Sequence, residues 1–159
     1  MNGDHIKEVF NQYSATLIKI STVMLGNEAD ANDAVQETFL KYMISNKKFQ
    51  MAEHEKAWLI RVNINVCKNM LRFHKKHPVV AFENLAITSH SSEENRIMDV
   101  LMSLKSKDKE VLILHYIEGY SCREIGKMLK ISENAVKKRL ERARKSFKNQ
   151  YEEIWRNDF

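Results

Sequence analysis

Apolar residues recur every three or four positions along most of this chain, which is the spacing of amphipathic α-helices. The first run ends near Gly26 and consists of Val9, Tyr13, Leu17, Ile20 and Met24. A second helix is predicted from near Glu28 to about Ser45, and a third from near Glu53 to a point before Pro78. One proline and four glycines in 159 residues leave little to interrupt helices.

The helical pattern breaks over residues 75–92, where the apolar spacing is poor and the only proline lies. We interpret this segment as a flexible linker, because connections of this length are usually functional or disordered rather than packed. The sequence therefore predicts an all-α protein. Two small helical domains, residues 1–74 and 93–159, are joined by the linker, and the C-terminal one is a helix-turn-helix domain.

The predicted second helix has two contrasting faces. Its buried stripe consists of Ala31, Ala34, Val35, Thr38, Phe39 and Tyr42, and the opposite face carries Asp33, Gln36, Glu37 and Leu40. A leucine surrounded by polar residues favours a protein-docking surface. A solvated face is the alternative. An acid/base pair of Asp33 and Glu37 is disfavoured, because no nucleophile or set of metal ligands lies nearby in the sequence.

The predicted third helix carries one polar face on an otherwise apolar surface. Two apolar rows consist of Leu59, Val62, Val66, Met70 and Phe73, and of Ile60, Ile64, Cys67 and Leu71. The polar face consists of Arg61, Asn65, Lys68 and Arg72, with Asn69 beside them. Cations with an amide suit phosphate and base contact, and a solvated face is the alternative. Asn63 falls inside the apolar arc, so its amide needs buried partners.

Residues 104–147 predict two short helices and a longer one, the last two forming a helix-turn-helix. Lys130 and Ile131 make the turn, Ser132 is suited to cap the next helix, and small Gly126 would let a crossing helix come close. The buried stripe of the last helix is predicted at Val136, Leu140, Ala143 and Phe147. Its outward residues suit a DNA major groove, and they are Asn134, Lys137, Lys138, Glu141, Arg142 and Lys145.

The positive charge is concentrated in this last helix. Residues 133–148 hold seven Lys or Arg against two Glu, a difference equal to the formal charge of +5 of the whole chain. Residues 1–74 are nearly balanced, with nine Lys or Arg against eight Asp or Glu. A basic helix behind a turn predicts phosphate binding in preference to an ordinary solvated face.

The composition points away from membrane insertion, metal binding and catalysis. There is no run of about 18 apolar residues and no apolar signal-peptide core at the N-terminus. Cys67 and Cys122 lie far apart, as is usual for thiols in a reducing cytoplasm, so we expect a cytoplasmic protein. The histidines are scattered without HExxH spacing, and no glycine-rich phosphate loop is present. We expect no cofactor, no metal and no enzymatic activity.

Four stretches match one family in order and spacing: ANDAVQETFL at residues 31–40, AWLIRV at 57–62 continuing to Asn65 and Arg72, EGYSCREIG at 118–126, and AVKKRLERAR at 135–144. Through them the chain resembles bacterial sigma factors of the extracytoplasmic-function (ECF) group, the small two-domain members of the sigma-70 family. The resemblance implies a sigma factor that binds core RNA polymerase and directs transcription initiation at promoters with −10 and −35 elements.

The resemblance also implies roles for the first domain, which is similar to sigma region 2. The face formed by Asp33, Gln36, Glu37 and Leu40 would bind the clamp helices of the largest polymerase subunit. The third helix, with the loop before it at residues 49–55, would read the −10 element as the DNA opens. Its implied contacts are Arg61, Asn65, Lys68, Asn69 and Arg72. The linker would thread toward the active-site channel of the polymerase.

The second domain is similar to sigma region 4, which implies docking at the −35 element and contact with the polymerase flap. The implied DNA contacts are Ser132, Asn134, Lys137, Lys138, Arg142 and Lys145. An anti-sigma factor is implied as a further partner. Asn134 and Ala135 stand where the family usually has a small residue followed by Thr, so a −35 sequence preference does not carry over. A stand-alone helix-turn-helix transcriptional regulator is the alternative. It would leave the face formed by Asp33, Gln36, Glu37 and Leu40 without a role.

Overall fold

A computed structural model describes residues 3–77 and 93–157 of the chain. The chain divides into two compact units, residues 1–86 and 87–159. The first unit contains α1 (Gly3–Leu25), α2 (Glu28–Ser45) and α3 (Ala52–Lys76). The second contains α4 (Glu93–Ser103), α5 (Ser106–Leu112), a π-helical turn (Ile113–Ile117), α6 (Cys122–Leu129) and α7 (Glu133–Asn157). The described residues include no β-strand, and the all-α prediction is confirmed.

Most of the predicted linker, residues 75–92, lies outside the described residues. Lys75 and Lys76 form the last positions of α3, and His77 follows as its C-terminal cap. The backbone N–H of His77 donates to the carbonyl of Phe73 at 2.9 Å. Basic side chains in this last turn are favourable, because the C-terminal end of a helix carries partial negative charge. The linker itself stays a prediction.

The first unit is a three-helix bundle whose turns are fixed by local signals. Gly26, with φ of 79°, follows the end of α1, and a positive φ of this kind favours glycine. The side chain of Asn27 then caps α2 by accepting from the backbone N–H of Asp30 at 2.8 Å. All six positions of the predicted α2 stripe are buried against the bundle, together with residues that include Leu17, Ile20, Leu59, Ile60 and Ile64.

The amide of Asn63 lies inside this core, and the structure identifies its partners. Its Oδ1 accepts from the hydroxyls of Ser21 and Thr38, each at 3.0 Å, and its Nδ2 donates to the carbonyl of Leu17 at 3.3 Å. Asn63 thus ties α3 to both α1 and α2. A buried amide with its partners in place fixes helix register, because a slipped arrangement would leave these polar groups unpaired.

The second unit packs α4, α5 and α6 against α7, and the π-helical turn packs against α5 and α6. The helix-turn-helix depends on Gly126, where an added Cβ would lie 2.8 Å from the carbonyl oxygen of Ile131. The close neighbour is thus the backbone of the turn itself rather than the crossing helix that the sequence suggested. Lys130 adopts a left-handed conformation with φ of 58°, and the N–H of Ile131 donates to the Gly126 carbonyl at 2.9 Å. Val136, Leu140 and Ala143 are buried as predicted.

The apolar pattern places two phenylalanines, one in α3 and one in α7, in buried rows where the structure does not bury them. Phe73 is 57% exposed and stacks on the ring of His77 at 4.3 Å, so it lies outside the core. Phe147 is only half-buried and stacks on Tyr151. The predicted loop at residues 49–55 is shorter, because α3 begins at Ala52, and residues 52–55 form its first turn.

Candidate docking and nucleic-acid surfaces

The α2 surface, defined as Asp33, Gln36, Glu37 and Leu40, projects away from the bundle. All four side chains are exposed, and Leu40 is 52% exposed. The Glu37 carboxylate lies 3.9 Å from Lys41 Nζ in an i,i+4 pair. Such an exposed pair contributes only a few tenths of a kcal/mol, so it leaves Glu37 available to another partner.

This surface has an apolar extension that the four predicted residues do not include. Ile44 is 82% exposed and lies one helical turn beyond Leu40, with Met43 partly exposed beside it. The signal was present in the sequence, since positions 36, 40 and 44 share one helix face. An isoleucine left in water at this position makes the α2 surface more apolar than the predicted four residues indicate.

The α3 polar face consists of Arg61, Asn65, Lys68, Asn69 and Arg72, which line one side of α3. Asn65, Asn69 and Arg72 are exposed, and Arg61 and Lys68 are half-buried. Arg72 is held in place by its helix, because Nη2 donates to Asn69 Oδ1 at 3.1 Å and Nε donates to the Lys68 carbonyl at 3.5 Å. The face therefore presents two guanidiniums, of which that of Arg72 is held in place, one lysine and two amides, a set able to bind phosphates and base edges.

A polar cluster anchors the start of α3 beneath the preceding loop. The hydroxyl of Tyr42 donates to Glu55 Oε2 at 2.8 Å, and its oxygen lies 3.2 Å from Nε2 of His5. Burial raises the pKa of Tyr42, and the hydrogen bond to Glu55 acts in the same direction. Burial, followed by the charge of Glu55, likewise raises the pKa of Tyr13.

An open cleft of about 680 Å³ lies above this cluster, and its lining includes His5, Asn46, Lys47, Lys48, Phe49 and Met51. Lys47 Nζ lies 5.8 Å from the centre of the Trp58 ring, which also packs against Phe49 at 6.0 Å. The loop therefore joins cations and aromatic rings next to the α3 polar face. The buried hydrogen bond from Tyr42 of α2 to Glu55, together with that from Tyr13 of α1 to the Ala52 carbonyl, holds the start of α3 and so sets where this loop projects.

Two caps position the recognition elements of the helix-turn-helix. At the start of α6, Ser121 Oγ accepts from the N–H of Glu124 at 3.1 Å, and Glu124 Oε1 accepts from the N–H of Ser121 at 3.0 Å. These hydrogen bonds, that of the Ser121 backbone first, lower the pKa of Glu124. At the start of α7, Ser132 Oγ accepts from the N–H of Ala135 at 3.0 Å, as its predicted capping role requires.

The α7 outward face consists of residues that are all exposed, and they are Asn134, Lys137, Lys138, Glu141, Arg142 and Lys145. Ser132 precedes them and is exposed, but its hydroxyl oxygen already accepts the capping hydrogen bond. Lys137 Nζ lies 3.7 Å from Glu133, one turn back. The structure thus places the predicted −35 residues on one side of α7, opposite the buried stripe. Arg144 lies toward the flank and donates to the Tyr116 hydroxyl at 3.0 Å.

Residues 3–77 and 93–157 were compared with the requirements of a metal site, a membrane-spanning helix and a disulfide. They contain no group of three or more His, Cys, Asp or Glu side chains placed to hold a metal ion. Every helix in these two ranges is too short or too polar to span a bilayer. Cys67 is buried and Cys122 half-buried, and neither forms a disulfide.

Two family models match the chain, one for each unit. The model described as Sigma-70 region 2 matches residues 9–77, which cover α1 to α3. The model described as Sigma-70, region 4 matches residues 94–147, which cover α4 to most of α7. Together the two matches extend over well over half of the chain.

Three curated relatives cover between 75% and 95% of the chain. The ECF RNA polymerase sigma factor SigW of Bacillus subtilis is 26% identical over 172 residues, covering 95% of this chain and 91% of the relative. The RNA polymerase sigma factor CarQ of Myxococcus xanthus is 27% identical, covering 87% and 84%. The RNA polymerase sigma factor SigV of Bacillus subtilis is 29% identical, covering 75% and 74%.

Two solved structures share the fold. One is the sigma factor RpoE in complex with the anti-sigma factor NepR from Bartonella quintana, with a TM-score of 0.75 and 21% identity over 92% of this chain and 96% of that one. The other is CnrH in complex with the cytosolic domain of CnrY, with a TM-score of 0.68 and 24% identity over 93% and 88%. At these identities the likeness establishes the architecture of the chain.

Proposed function

Because the chain belongs to the sigma-70 family of RNA polymerase sigma factors, we propose that its two units divide promoter recognition between them through the surfaces described above. As a sigma factor it binds core RNA polymerase and directs initiation at specific promoters. The observation that carries the division of labour is the coincidence of each family match with one unit and one exposed surface. The region 2 match holds the α2 surface and the α3 polar face, and the region 4 match holds the α7 outward face.

In this proposal the α2 surface binds the polymerase clamp helices. Asp33 and Glu37 supply acidic contacts, and Leu40 supplies an apolar anchor that is out of water only in the complex. Ile44 extends that anchor by one turn. Exposed apolar side chains surrounded by charge are typical of interface centres with polar rims.

The α3 polar face and the adjacent cleft read the −10 element in this proposal. Lys68 and Arg72 would bind phosphates, and Asn65 and Asn69 would contact base edges. Strand opening costs a few kcal/mol for each unstacked base step. Exposed aromatic rings that could offset this cost are few on α3, since Trp58 is half-buried and Phe73 lies at the far end. We infer that this chain melts DNA weakly and therefore requires promoters that match it well.

The α7 outward face reads the −35 element. A single helix-turn-helix obtains most of its affinity from phosphates and binds weakly alone. When both units are held on one polymerase, the second DNA contact becomes intramolecular and its effective concentration rises. The polymerase supplies the chemistry, so we assign this chain no catalytic step. We also infer that it acts in the cytoplasm, where transcription takes place.

We further infer an anti-sigma partner that covers one or more of these surfaces. The support is that two proteins of the same fold have been solved in complexes, RpoE with an anti-sigma factor and CnrH with the cytosolic domain of CnrY. A partner of that kind would compete with core polymerase for the α2 surface.

Run-off transcription with core polymerase on a genomic promoter library tests the proposed function. We expect the chain to start transcription from a small set of fragments that share two spaced elements, whereas core polymerase alone does not. Transcripts that start at the same positions with and without the chain would contradict it. The same assay with variants of each surface assigns that surface to core binding, to −10 reading or to −35 reading. The variants are Asp33→Lys with Glu37→Lys, Asn65→Ala, and Lys138→Ala.

A further inference from the structure

The second unit contains a cationic cleft that the −35 assignment leaves unexplained. It has a volume of about 570 Å³ and lies between the N-terminal end of α5 and the middle of α7. Its lining consists of Lys105, Ser106, Lys107 and Asp108 from α5 and of Arg139, Arg142, Lys145 and Ser146 from α7. We call this the α5–α7 cleft. Five cations and one carboxylate share it, and none of its lining residues is apolar.

The charges in this cleft lack compensation. None of its five cations forms an ion pair with a carboxylate among residues 93–157, whereas Lys137 on the neighbouring face lies 3.7 Å from Glu133. Like charges gathered around one cleft repel each other, and an anion bound there relieves the repulsion. Asp108 is the one acid of the lining, so the cleft keeps a strong positive field.

We propose that the α5–α7 cleft binds backbone phosphates of the DNA next to the −35 element, with Lys105 and Lys107 as contacts outside the recognition helix. This inference rests on the proposed function of the α7 outward face. Arg142 and Lys145 belong to both surfaces, so DNA held by α7 passes beside the cleft. Ser106 and Ser146 add hydroxyls, which commonly accompany cations in phosphate contacts.

Phosphate is favoured over an acidic protein segment as the occupant because the cleft has no apolar or aromatic anchor. Protein interfaces draw their affinity from apolar and aromatic anchors in a desolvated centre. The lining of this cleft has no apolar or aromatic side chain, and its apolar surface belongs to the aliphatic stems of side chains that end in charges. A DNA backbone needs no apolar anchor, since cations bind it by displacing its condensed counterions.

The test uses the complex of this chain with core polymerase and measures its binding to promoter DNA over a series of salt concentrations. The variant is Lys105→Ala with Lys107→Ala. Both residues are exposed, and the Lys105 side chain makes no capping hydrogen bond to α5, so the fold is retained. Each lost phosphate contact lowers the slope of log affinity against log salt by about 0.9. We expect a slope reduced by about 1.8 from the same relation, with the −35 sequence preference unchanged.

Lys7→Ala with Lys19→Ala, which removes the same charge from exposed positions of α1, is the matched control and should leave the slope unchanged. Neutral methylphosphonate linkages, introduced one at a time beside the −35 element, locate the contact. We expect one or two positions at which the neutral linkage weakens the wild-type complex but not the Lys105→Ala, Lys107→Ala complex.

Two results would overturn this inference. An unchanged salt slope would remove DNA as the occupant. Weaker binding to core polymerase with unaltered DNA binding would instead identify an acidic protein segment in the cleft. Lys138→Ala, measured in parallel, separates this inference from its premise. If Lys138→Ala alters DNA binding and the Lys105→Ala, Lys107→Ala variant does not, only the cleft assignment fails. If both leave DNA binding unchanged, the proposed role of α7 fails too.

Discussion

The two units form their exposed surfaces in the same way and differ in the chemistry that they expose. In each, a buried stripe fixes one side of a helix and leaves the opposite side free. The α2 surface combines two carboxylates with Leu40, and Ile44 continues it. The α7 outward face has three lysines and an arginine against the one carboxylate of Glu141, and it has no apolar side chain. An apolar anchor among acids suits a protein, and an excess of cations suits phosphates, so we infer a different partner for each unit.

The largest expected effect comes from reversing the charge of the α2 surface. Asp33→Lys with Glu37→Lys should weaken binding to core polymerase by about 100-fold, because like charges brought together in an interface cost several kcal/mol. Both positions are exposed, so the helices should remain folded. Competition with the wild-type chain for core polymerase measures the loss, and circular dichroism checks the fold.

The matched control places the same charge change in the other unit. Glu152→Lys with Glu153→Lys alters two exposed positions of α7 and should leave core binding nearly unchanged. If the α2 variant still binds core polymerase normally, or if both variants lose binding equally, the protein-docking surface has been assigned to the wrong place.

The next effect concerns base reading by α7. Lys138 and Arg142 lie one turn apart on the α7 outward face, and a lost base contact costs about 1–3 kcal/mol at one position only. Lys138→Ala or Arg142→Ala should therefore relax the preference at one or two −35 positions by roughly 5- to 150-fold. Transcription from a saturated −35 library measures it. Arg156→Ala, an exposed position in the last turn of α7, is the control for lost charge.

A smaller effect is expected for −10 reading. Asn65→Ala removes an exposed amide from the α3 polar face, and a single hydrogen bond of this kind contributes about 1 kcal/mol. The fraction of open complex should fall several-fold while the closed complex is retained, as read by permanganate reactivity of unpaired thymines. Asn11→Ala on α1 is the control. Normal reactivity for alanine variants of Asn65, Lys68 and Arg72 would remove α3 from the opening step.

The smallest effect distinguishes phosphate binding from base reading within α7. Lys145 lies further along α7, where we expect the helix to leave the groove. Lys145→Ala should lower transcription uniformly across −35 variants and reduce the salt slope by about 0.9. A library assay at two salt concentrations measures both quantities. A changed sequence preference for Lys145→Ala, with only a lower level for Lys138→Ala, would reverse the two assignments.

The helices and their inner faces could be predicted because they depend on local spacing. All six predicted positions of the α2 stripe are buried, and Ser132 caps α7. Periodicity reports which side of a helix is apolar, and a cap depends on residues within one turn, so both are visible in one stretch of sequence.

What the sequence could not supply depends on residues that are distant along the chain. Asn63 obtains its partners Ser21 from α1 and Thr38 from α2, 42 and 25 positions away, so its amide could be located but its partners could not be named from spacing. Phe73 fits the apolar row, yet among the described residues it is 57% exposed, because helical spacing does not report which helix, if any, packs against that position. The α5–α7 cleft joins Lys107 to Arg139, which no spacing rule connects.

Neither unit is expected to bind promoter DNA tightly by itself, and core polymerase couples the two. Gel-shift titration of promoter DNA at one fixed salt concentration, with and without core polymerase, tests it most directly. The account predicts weak binding with little sequence preference by the free chain, and tight, promoter-specific binding once core polymerase is added. Tight, sequence-specific binding by the free chain would contradict it and would favour a stand-alone regulator.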